Sequence, residues 1–486
     1  MRIIKGMKLL VFSLLFGGSF LFSPVKAATV ITVTTAGDAI AMDGQCSLRE
    51  AVIAANTNTA SNECPAGSGA DTIVFSPDLT QPIVLTLIGA NEDNAATGDL
   101  DLTGVLTIQG SGAEQTIIDG NGTDRVFEVR PGANVTLTGL TIRNGNASSG
   151  DGGGILISGS QPTSKLSLAG VFILGNTATS GGGIQVLGNG ASASIQNTTI
   201  RSNIAMAAGG GISNTGVLTV TGSTLYQNQA TSGGGINHAG FSMNLTNVTI
   251  SANNASDNGG GLYNRADAIL LNVTIAGNSA NGPSTGGNIF IDQSSLSIKN
   301  SIVANANVDG NCFNSEGRIN SQGHNLEDQD TCNFTANGDL SNTPPLLSLL
   351  QDNGGPTLTH SLQAASPAVD GTENDGCPQT DQRGFSRPVD GNGDGNAVCD
   401  IGAYEANGEP STLTETPTLP SPPTETSTLT STPPLDPTLT PTVVPITPSS
   451  TPPGPSAPPC SSATLTLIFL FGLVRFRPKQ QPNDSS

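Results

Sequence analysis

The stretch Gly152-Gly153-Gly154-Ile155 recurs along the middle of the chain with a nearly constant period. Later copies begin at Gly181, Gly209, Gly233 and Gly259, and a weakened copy begins at Gly286. The steps between successive copies are 29, 28, 24, 26 and 27 residues. A fixed period in this range is the mark of a protein built from stacked repeats.

A second signal runs in phase with the glycine triplets: an aliphatic residue, two variable residues and an asparagine. Its copies are Ile173–Asn176, Ile200–Asn203, Leu225–Asn228, Ile250–Asn253, Ile275–Asn278 and Ile302–Asn305. The segments before each asparagine alternate apolar and small polar residues, as in 245–250, which is the pattern of a β-strand. A flexible Gly/Asn-rich linker is the alternative, but the phased aliphatic residues argue against it.

Together these signals predict an all-β fold, a parallel β-helix in which each repeat forms one coil. Coils stacked at the spacing of about 4.8 Å between neighbouring strands bring equivalent residues of successive repeats into one row. Glycine triplets suit a corner because glycine adopts positive φ and permits close backbone approach. Asparagine tolerates the left-handed conformation, and stacked asparagine side chains can hydrogen-bond along a ladder.

The amino-acid composition limits the kinds of molecule that the protein can bind. The 486 residues include 61 Gly, only 12% of residues are charged, and the formal net charge is −20. Binding to nucleic acid through its phosphates needs basic patches, so this balance argues against a nucleic-acid partner. It suits an extracellular protein that stays soluble by charge repulsion, or one that binds cations.

Residues 1–27 are predicted to be a secretory signal peptide. A positively charged start precedes an apolar core at 9–22 and an A-x-A-like cleavage site at Val25-Lys26-Ala27. The alternative is a membrane anchor that stays uncleaved.

Residues 28–79 are predicted to cap the N-terminal end of the β-helix. Ser47 and Glu50 have the spacing of a capping box, and apolar residues at helical spacing follow, so we expect a short helix at 46–57. Strands are expected near 29–34 and 71–75. A helix here would cover an open sheet edge, which otherwise invites aggregation.

The stretch Cys46–Ala51, followed by Ala54-Ala55-Asn56 and 71–75, resembles the CSLREA-type N-terminal domain of bacterial surface proteins. That resemblance implies a location and an architecture rather than a reaction.

Residues 80–310 are predicted to form the β-helix itself. Its irregular first coils should contain strands at Ile83–Ile88, Val105–Gln109, Val126–Arg130 and Val135–Ile142. The paired glycine and asparagine signals that follow resemble the repeats of chlamydial polymorphic membrane proteins, which are adhesins. The third glycine stands where that family more often has alanine. The resemblance implies a right-handed helix.

Residues 311–406 have a different character. Four motifs occur in order: Gly354–Thr357, Ser366–Asp370, Thr380–Phe385 and Cys399–Glu405. The set resembles the choice-of-anchor Q domain, which ends many bacterial β-helix surface proteins just before an anchoring tail.

Residues 407–459 are rich in Thr, Pro and Ser, which predicts an extended stalk. Residues 460–486 combine an apolar segment, 463–474, with a basic end. Twelve apolar residues span about 18 Å as a helix, which is short for a bilayer core of about 30 Å. The tail resembles a bacterial C-terminal sorting signal that an enzyme removes. A thin or tilted membrane anchor that is never cut is the alternative.

Six of the seven cysteines lie as local pairs, which predicts the disulfides Cys46–Cys64, Cys312–Cys332 and Cys377–Cys399. Such bonds would secure both ends of the solenoid. Zinc binding is the alternative, but no Cys-x-x-Cys or His-rich cluster supports it. Cys460 is left over at the boundary of the tail, as an anchoring point or as an unpaired residue in a discarded peptide.

One segment has the spacing of a metal-binding loop. In 390–395, oxygen-bearing side chains alternate with glycine, as at the start of a calcium loop. The predicted calcium ligands are Asp390, Asn392, Asp394 and, beside Cys399, Asp400. The bidentate glutamate of an EF-hand is absent, because Ile401 stands there. The alternative is a solvated Asn-Gly and Asp-Gly turn.

Catalytic residues are sparse within the repeats. Asp257, Arg265 and Asp267 form the nearest approach to a catalytic cluster, in one coil beside His238 of the previous coil. Arg143 and Arg201 occupy the same position two coils apart, which would suit an anionic glycan if they are not simply solvated. A lyase or hydrolase needs clustered carboxylates with a base, or a carboxylate pair, so this sparse set favours binding over catalysis.

The sequence therefore predicts a secreted bacterial protein, anchored at the cell surface, that is adhesive or glycan-binding and not an enzyme. Its partners would be an extracellular glycan or a host or neighbouring cell surface, with the membrane or cell wall held through the tail. Two alternatives remain: a polysaccharide lyase or glycoside hydrolase on a β-helix, and a structural envelope protein.

Overall fold

Each repeat of the chain winds through four short strands, and equivalent strands of successive repeats pair in parallel. The computed structural model describes residues 28–89, 92–282, 284–308 and 310–411. Over these ranges the strands form four parallel sheets, here called sheets I to IV. The prediction of a parallel β-helix with a short N-terminal helix is confirmed.

Sheet I has eleven strands within the described ranges, and sheet II has ten. Sheet I contains β1 Val30–Val33, β2 Ala70–Phe75, β5 Val105–Gln109, β8 Asn134–Thr138, β12 Ser164–Ala169, β16 Ala191–Gln196, β20 Val217–Thr221, β24 Ser242–Thr246, β28 Ala268–Leu271, β32 Ser295–Lys299 and β35 Arg318–Ser321. Sheet II contains β3 Ile83–Val84, β6 Ile117–Asp119, β9 Thr141–Arg143, β13 Phe172–Leu174, β17 Thr199–Arg201, β21 Thr224–Tyr226, β25 Thr249–Ser251, β29 Thr274–Ala276, β33 Ile302–Ala304 and β36 Leu326–Glu327.

The other two parallel sheets are smaller, with six and nine strands in the described part of the chain. Sheet III contains β10 Asn146–Asp151, β14 Thr177–Ser180, β18 Ile204–Ala208, β22 Gln229–Ser232, β26 Asn254–Asn258 and β30 Ser279–Ala280. Sheet IV contains β4 Leu100–Leu102, β7 Phe127–Val129, β11 Ile155–Ser158, β15 Ile184–Leu187, β19 Ile212–Asn214, β23 Ile236–His238, β27 Leu262–Asn264, β31 Ile289–Asp292 and β34 Cys312–Ser315. A separate antiparallel pair joins β37 Leu347–Gln351 and β38 Thr359–Leu362.

The core is a set of aliphatic rows that run along the inside of the solenoid. In sheet I, Leu218, Met243 and Ala268 occupy equivalent register positions and are at most 3% exposed. Alternate residues of each strand face outward, which explains the pattern of apolar and small polar residues in the repeats. A single coil cannot bury its apolar side chains alone and does so only when it is stacked on its neighbours. Burial of these rows is therefore the main source of stability.

The glycine triplets form the corner between sheets III and IV. The first glycine of each triplet has positive φ, for example 67° at Gly233, which an L-residue adopts only with strain. The third glycine faces the ladder asparagine of the next coil: a Cβ on Gly211 would lie 3.2 Å from Nδ2 of Asn228. The triplet is therefore set by backbone conformation and by close packing, as predicted.

The predicted asparagine ladder is present and buried. Asn203 Nδ2 donates to Asn228 Oδ1 at 3.0 Å, and Asn228 Nδ2 donates to Asn253 Oδ1 at 2.9 Å. From Asn176 to Asn278 each amide also donates to a backbone carbonyl of the preceding coil, and each carbonyl oxygen also accepts a backbone N–H. The members, in order from the N-terminal end, are Asn176, Asn203, Asn228, Asn253, Asn278, Asn288 and Asn311.

The expectation that Asn305 belongs with the other asparagines of the repeat is wrong in one respect. Because Ile302 pairs with Thr274, Asn305 aligns with Gly277 rather than with Asn278; it has the left-handed conformation of that position, with φ of 54°, is exposed and does not enter the ladder. Asn288, the third residue of the weakened triplet, accepts from Asn278 and donates to Asn311. In the other triplets a glycine at this position leaves room for the ladder asparagine. Here the Asn288 side chain fills that room, so the ladder continues through Asn288 of the triplet and not through Asn305.

The N-terminal cap contains α1 Leu48–Thr57, within the predicted interval 46–57. Ser47 is the N-cap, and both hydrogen bonds of the capping box with Glu50 are formed. Arg49 is fully buried: it pairs with Asp38 at 2.6 Å and donates to the carbonyl oxygens of Ala95 and Gly98. A guanidinium carries five N–H donors, which suits it to fix a loop through several carbonyls at once.

The strand expected at Ile83–Ile88 is shorter than predicted, since β3 ends at Val84. The backbone N–H groups of Thr86 and Leu87 donate to one carboxylate oxygen of Asp38 instead of to a neighbouring strand. The strands expected at Val105–Gln109, Val126–Arg130 and Val135–Ile142 correspond to β5, β7 and the pair β8 and β9.

All three predicted disulfides are present: Cys46–Cys64, Cys312–Cys332 and Cys377–Cys399. Disulfides of this kind are typical of an extracellular, oxidising environment. Within the part of the chain that the structure describes, the single helix is too short to cross a bilayer. The predicted signal peptide and hydrophobic tail lie outside the described residues.

The C-terminal region packs against the outer face of sheet II. A row of threonines on that face, Thr224, Thr249 and Thr274, hydrogen-bonds to Leu358, Gln382 and Ala403. Arg383 lies between the rings of Phe385 and Tyr404, 4.0 and 3.7 Å from their centroids. The motifs at 380–385 and 399–405 therefore hold this region to the solenoid.

A buried carboxylate at the C-terminal end of the ladder makes stability depend on pH. Glu327 is fully buried and accepts from the backbone N–H groups of Thr331 and Cys332. Burial raises the pKa of its carboxyl from 4.5 to about 7, against the opposing effect of those hydrogen bonds. The folded state thus binds this proton more tightly than the unfolded state does.

We expect this group's contribution to be complete below pH 4.5 and to be lost as the pH rises to about 7, by on the order of 3 kcal/mol. Thermal melts of the wild type and of Glu327→Gln at intervals from pH 4.5 to 8 would measure it. The variant's melting temperature should fall less steeply with pH. Glu316→Gln, at a nearby strand end, is the control and should follow the wild type. Parallel curves for Glu327→Gln and the wild type would refute the assignment.

Candidate functional site

One outward-facing row of side chains runs along the whole of sheet IV. Each strand of the sheet contributes one residue to it, and the residues before and after that one point into the interior of the solenoid. The row, here called the outer column, comprises Asp101, Glu128, Leu156, Gln185, Ser213, Asn237, Tyr263, Phe290 and Phe313. Its N-terminal end is acidic and its C-terminal end is aromatic.

The aromatic end is a stack of three rings on consecutive strands. Tyr263 and Phe290 have ring centroids 5.2 Å apart, and Phe290 and Phe313 have centroids 5.4 Å apart. Phe290 is 8% exposed, while the rings on either side of it are partly exposed. The column thus ends in an apolar ridge about 10 Å long, two strand spacings, that no other element of the described chain covers completely.

Polar groups border this aromatic ridge. The Tyr263 hydroxyl donates to Asp292 Oδ2 at 2.9 Å, and Arg265 Nε lies 3.2 Å from the same oxygen. Arg265 is 56% exposed and Asp292 is 25% exposed, so both reach solvent. Burial, together with the hydrogen bond to Asp292, raises the pKa of the Tyr263 hydroxyl to about 12, so the group remains a neutral donor.

The predicted catalytic residues are only partly brought together. Asp257 and Arg265 both lie close enough to Tyr263 to influence its pKa, in opposite directions. Asp267 contributes its backbone oxygen, 3.1 Å from Nε2 of the buried His238. The ion pair that Arg265 forms is with Asp292, which the sequence did not single out. A catalytic role for Asp257, Arg265 and Asp267 stays a prediction.

The acidic end gathers three carboxylates from two neighbouring strands. Asp99 immediately precedes β4, Asp101 is the central residue of β4, Glu128 comes from β7, and one oxygen of each lies within 4.8 Å of the other two. Among the described residues, these three are the group of carboxylates that meets this condition. Asp99 and Glu128 line a cavity of about 380 Å³, whose other side is lined by residues 146–150 of sheet III, whereas the fully buried Asp101 does not reach it.

Two arginines lie among these carboxylates. Arg125 Nε is 2.8 Å from Asp99 Oδ2, and Arg130 Nη1 is 2.8 Å from Glu128 Oε1. Burial raises the pKa of Asp99 to about 8 and that of Asp101 to about 6, in spite of the nearby positive charges. The carboxylates are therefore in an environment that disfavours their charge unless more compensating positive charge is supplied.

The sequence contains a signal for the aromatic end but not for the acidic end. The residue two positions after the last glycine of each triplet belongs to the outer column, so Tyr263 and Phe290 could have been aligned from the repeat alone. Asp101 and Glu128 lie in coils that lack the triplet, and their spatial neighbours are set by strand pairing that the repeat does not reveal.

The predicted calcium loop folds on its own hydrogen bonds. The Asp390 carboxylate accepts from the backbone N–H groups of Gly393, Asp394 and Gly395, and Asn392 Oδ1 accepts from Asp394. Asp400 is fully buried and accepts from the N–H groups of Asp370 and Ala406. Burial and the neighbouring Glu405 raise the pKa of Asp400 to about 7. Calcium binding by Asp390, Asn392, Asp394 and Asp400 stays a prediction.

The predicted alignment of Arg143 and Arg201 is present in sheet II. Both pair in register with Leu174, so they lie two strand spacings apart on one face, about 10 Å. Arg143 is held by Asp119, with Nε 2.7 Å from Oδ2. Arg201 instead borders a cavity of about 360 Å³ against 352–358 of the C-terminal region. The two side chains therefore have different surroundings.

Comparison with known proteins adds little beyond the architecture. The chain matches no protein-family model, and no curated protein matches it. It is similar to a solved structure, the crystal structure of pectate lyase Pel9A, with a TM-score of 0.38 and 12% sequence identity. The similarity covers 79% of this chain and 98% of that one. At this low similarity, nothing about the roles of the residues in the outer column can be inferred from that structure.

Proposed function

We propose that this protein is an extracellular, non-catalytic β-helix that binds a glycan along the outer column of sheet IV. The observation that carries the proposal is the aromatic stack of Tyr263, Phe290 and Phe313, bordered by Arg265 and Asp292. Binding sites for small polar molecules combine apolar or aromatic surface with a few fixed hydrogen-bonding groups, and this arrangement has both. Sugars present both kinds of surface, C–H groups and hydroxyls.

The regular spacing of the column suits a polymer. Its side chains recur at each strand, about 4.8 Å apart, so a linear chain lying along the sheet would meet one side chain at each coil and a ring at each of the last three. Gln185, Ser213 and Asn237 continue the column beyond the rings with amide and hydroxyl groups, but these side chains are buried, so the accessible part of the column is its aromatic end. A repetitive ligand fits a repetitive surface better than a compact one does.

A neutral glycan is the chemistry that the charges favour. The net charge of −20 repels polyanions at long range. At the aromatic end, the charge of Arg265 is matched by Asp292. We therefore place anionic glycans second, and the in-register Arg143 and Arg201 are the alternative site for them.

The proposal includes the location. We propose that residues 1–27 direct secretion, that 407–459 form a stalk and that 460–486 anchor the protein to a membrane or cell wall. Three disulfides in the described region support an oxidising compartment. The similarity of 46–51 and of the motifs at 354–405 to bacterial surface-protein domains supports the same location. Adhesion to a host or neighbouring cell would follow from glycan binding.

Truncating the aromatic end should weaken binding. We expect Tyr263→Ala to raise the Kd for a bound neutral polysaccharide at least about tenfold, because the variant loses a ring contact and the hydroxyl that positions Asp292. A panel of neutral and acidic polysaccharides, tested by affinity electrophoresis with the secreted chain, would identify the ligand and measure the loss. Phe241→Ala is the matched control, because Phe241 is 62% exposed but lies outside the column.

The same experiment separates the three functions. Retention of a glycan without shortening, lost in Tyr263→Ala and kept in Phe241→Ala, supports the proposal. Release of oligosaccharides would identify a lyase or hydrolase, and Asp257, Arg265 and Asp267 would be the first residues to replace. Binding of a glycan that Tyr263→Ala weakens no more than Phe241→Ala does would place the binding site elsewhere. Absence of binding across the panel would favour a structural role in the envelope.

A further inference from the structure

The acidic end of the outer column has properties that glycan binding does not require. Five carboxylates and one guanidinium line the cavity there, and one further carboxylate and guanidinium lie beside it, which leaves a formal excess of four negative charges. The residues are Glu92, Asp93, Asp99, Asp101, Asp124 and Glu128, with Arg125 and Arg130. The neighbouring Arg49 is matched by Asp38, so it does not reduce the excess.

Two carboxylate oxygens in this cluster are buried and without a hydrogen bond: Asp99 Oδ2, which has Arg125 Nε at 2.8 Å as its ion-pair partner, and Asp101 Oδ1. The Asp101 side chain is 0% exposed, and its Oδ2 accepts from the Ala95 N–H at 3.1 Å. Its other oxygen, Oδ1, accepts no hydrogen bond, and its ion-pair partner, Arg130 Nε, is 3.9 Å away, beyond hydrogen-bonding distance. A buried carboxylate oxygen left in this state is costly unless a further positive partner meets it.

The spacing of the three carboxylates fits a cation. A calcium ion takes oxygen ligands at about 2.3–2.6 Å, so two ligands on opposite sides of it lie about 4.6–5.2 Å apart. Asp99, Asp101 and Glu128 each place an oxygen within 4.8 Å of the others. Oxygen ligands alone, with no histidine or cysteine in the group, select a hard cation over zinc. The three carboxylates come from a loop and from two strands. This mixed set of positions favours the flexible coordination of calcium over the strict octahedral coordination of magnesium.

We propose that Asp99, Asp101 and Glu128 bind one calcium ion, which joins the N-terminal cap to the first full coils. Asp99 and Asp101 lie at β4, the edge strand of sheet IV against which α1 packs. Glu128 belongs to the next strand of that sheet. Asn56 of α1 also donates to the Asp101 carbonyl at 2.7 Å. The ion would therefore bridge the cap and the solenoid at the sheet edge, where strand pairing ends.

Calcium titration of the secreted chain, after treatment with a chelator, tests this proposal. We expect isothermal titration calorimetry at pH 7.5 to show one saturable site, and we expect calcium to raise the melting temperature. Glu128→Gln should weaken binding at least tenfold. That side chain lies at the rim, 12% exposed, so the variant should fold. Asp394→Asn in the loop at 390–395 is the matched control and should bind calcium as the wild type does.

The outcomes separate the candidate sites. Binding that is weakened by Glu128→Gln but not by Asp394→Asn supports the site at the cap. Binding that survives Glu128→Gln and is lost in Asp394→Asn would overturn it and place calcium in the loop that the sequence predicted. Absence of saturable calcium binding by the wild type would also overturn it. Loss of glycan retention in Tyr263→Ala does not affect either result, so the two proposals are tested separately.

Discussion

Gly234→Ala is expected to cost at least about 3 kcal/mol of unfolding free energy, enough to prevent a marginal coil from folding. Gly234 is the middle residue of its triplet. A Cβ there would lie 2.5 Å from the carbonyl oxygen of Asn254 and 2.6 Å from that of Gly260, both in the next coil. Because both contacts are to backbone, no side-chain rotation can relieve them, and the coils would have to separate.

A second glycine in the same solenoid isolates this effect from backbone strain. Gly277 has φ of 68°, but a Cβ added to it would meet no atom within 4 Å. Gly277→Ala should therefore cost only the strain of the left-handed conformation, about 1–2 kcal/mol. Urea unfolding followed by circular dichroism compares the two variants. Equal losses would show that close packing between coils is not what requires glycine in the triplet.

This contrast explains why the fold could be predicted from the sequence. The triplets and the phased asparagines are dictated by one coil's contact with the next, so the constraint repeats whenever a coil is added. Gly152 and Gly233 have the same left-handed φ within a few degrees, 69° and 67°, although 81 residues separate them. A constraint that recurs in space appears as a period in the sequence.

The candidate site could not be predicted in the same way, because function here depends on residues that break the repeat. The outer column is occupied by acidic, aliphatic, amide, hydroxyl and aromatic residues in turn, so no residue type marks it. The partnership of Arg265 with Asp292 joins two coils of different length, and the sequence favoured Asp257 and Asp267 because they are nearer along the chain. Proximity along a solenoid is set by register rather than by sequence separation.

The weakened triplet shows how a deviation can be read once the structure is known. Asn288 stands where the other triplets have their third glycine, so the repeat is weaker there in the sequence. In the structure its side chain accepts from Asn278 Nδ2 at 2.9 Å and donates to Asn311 Oδ1 at 2.9 Å. The deviation therefore preserves the ladder where the coil geometry changes, and Asn305 is released to the surface.

The second large effect is expected from the ladder. Asn228→Ala should cost about 3–5 kcal/mol, because the variant loses four buried hydrogen bonds at once. Asn228 Oδ1 accepts from the backbone N–H and the side-chain amide of Asn203, and its Nδ2 donates to Asn253 Oδ1 and to the Ile200 carbonyl. All of these partners are buried: the backbone N–H of Asn203 would lose its acceptor, while Asn203 Nδ2 and Asn253 Oδ1 would each lose one of two hydrogen bonds. Urea unfolding, with a parallel thermal melt, measures the loss.

The direction of the ladder predicts a further difference between two substitutions at this position. Every amide donates toward the C-terminal end, and the last donor, Asn311 Nδ2, reaches the carboxylate of Asp328 at 2.8 Å, where an acceptor alone suffices. In the interior of the ladder the residue must also donate a hydrogen bond. Asn228→Asp should therefore destabilise the protein more than Asn228→Ala, although aspartate has nearly the same shape as asparagine. The aspartate buries a charge and places an acceptor against another acceptor, Asn253 Oδ1. Asn307→Ala, which removes a single exposed hydrogen bond to Gly277, is the control and should cost less than about 1 kcal/mol. If the aspartate variant were the more stable of the two, space filling rather than donation would be the role of the ladder.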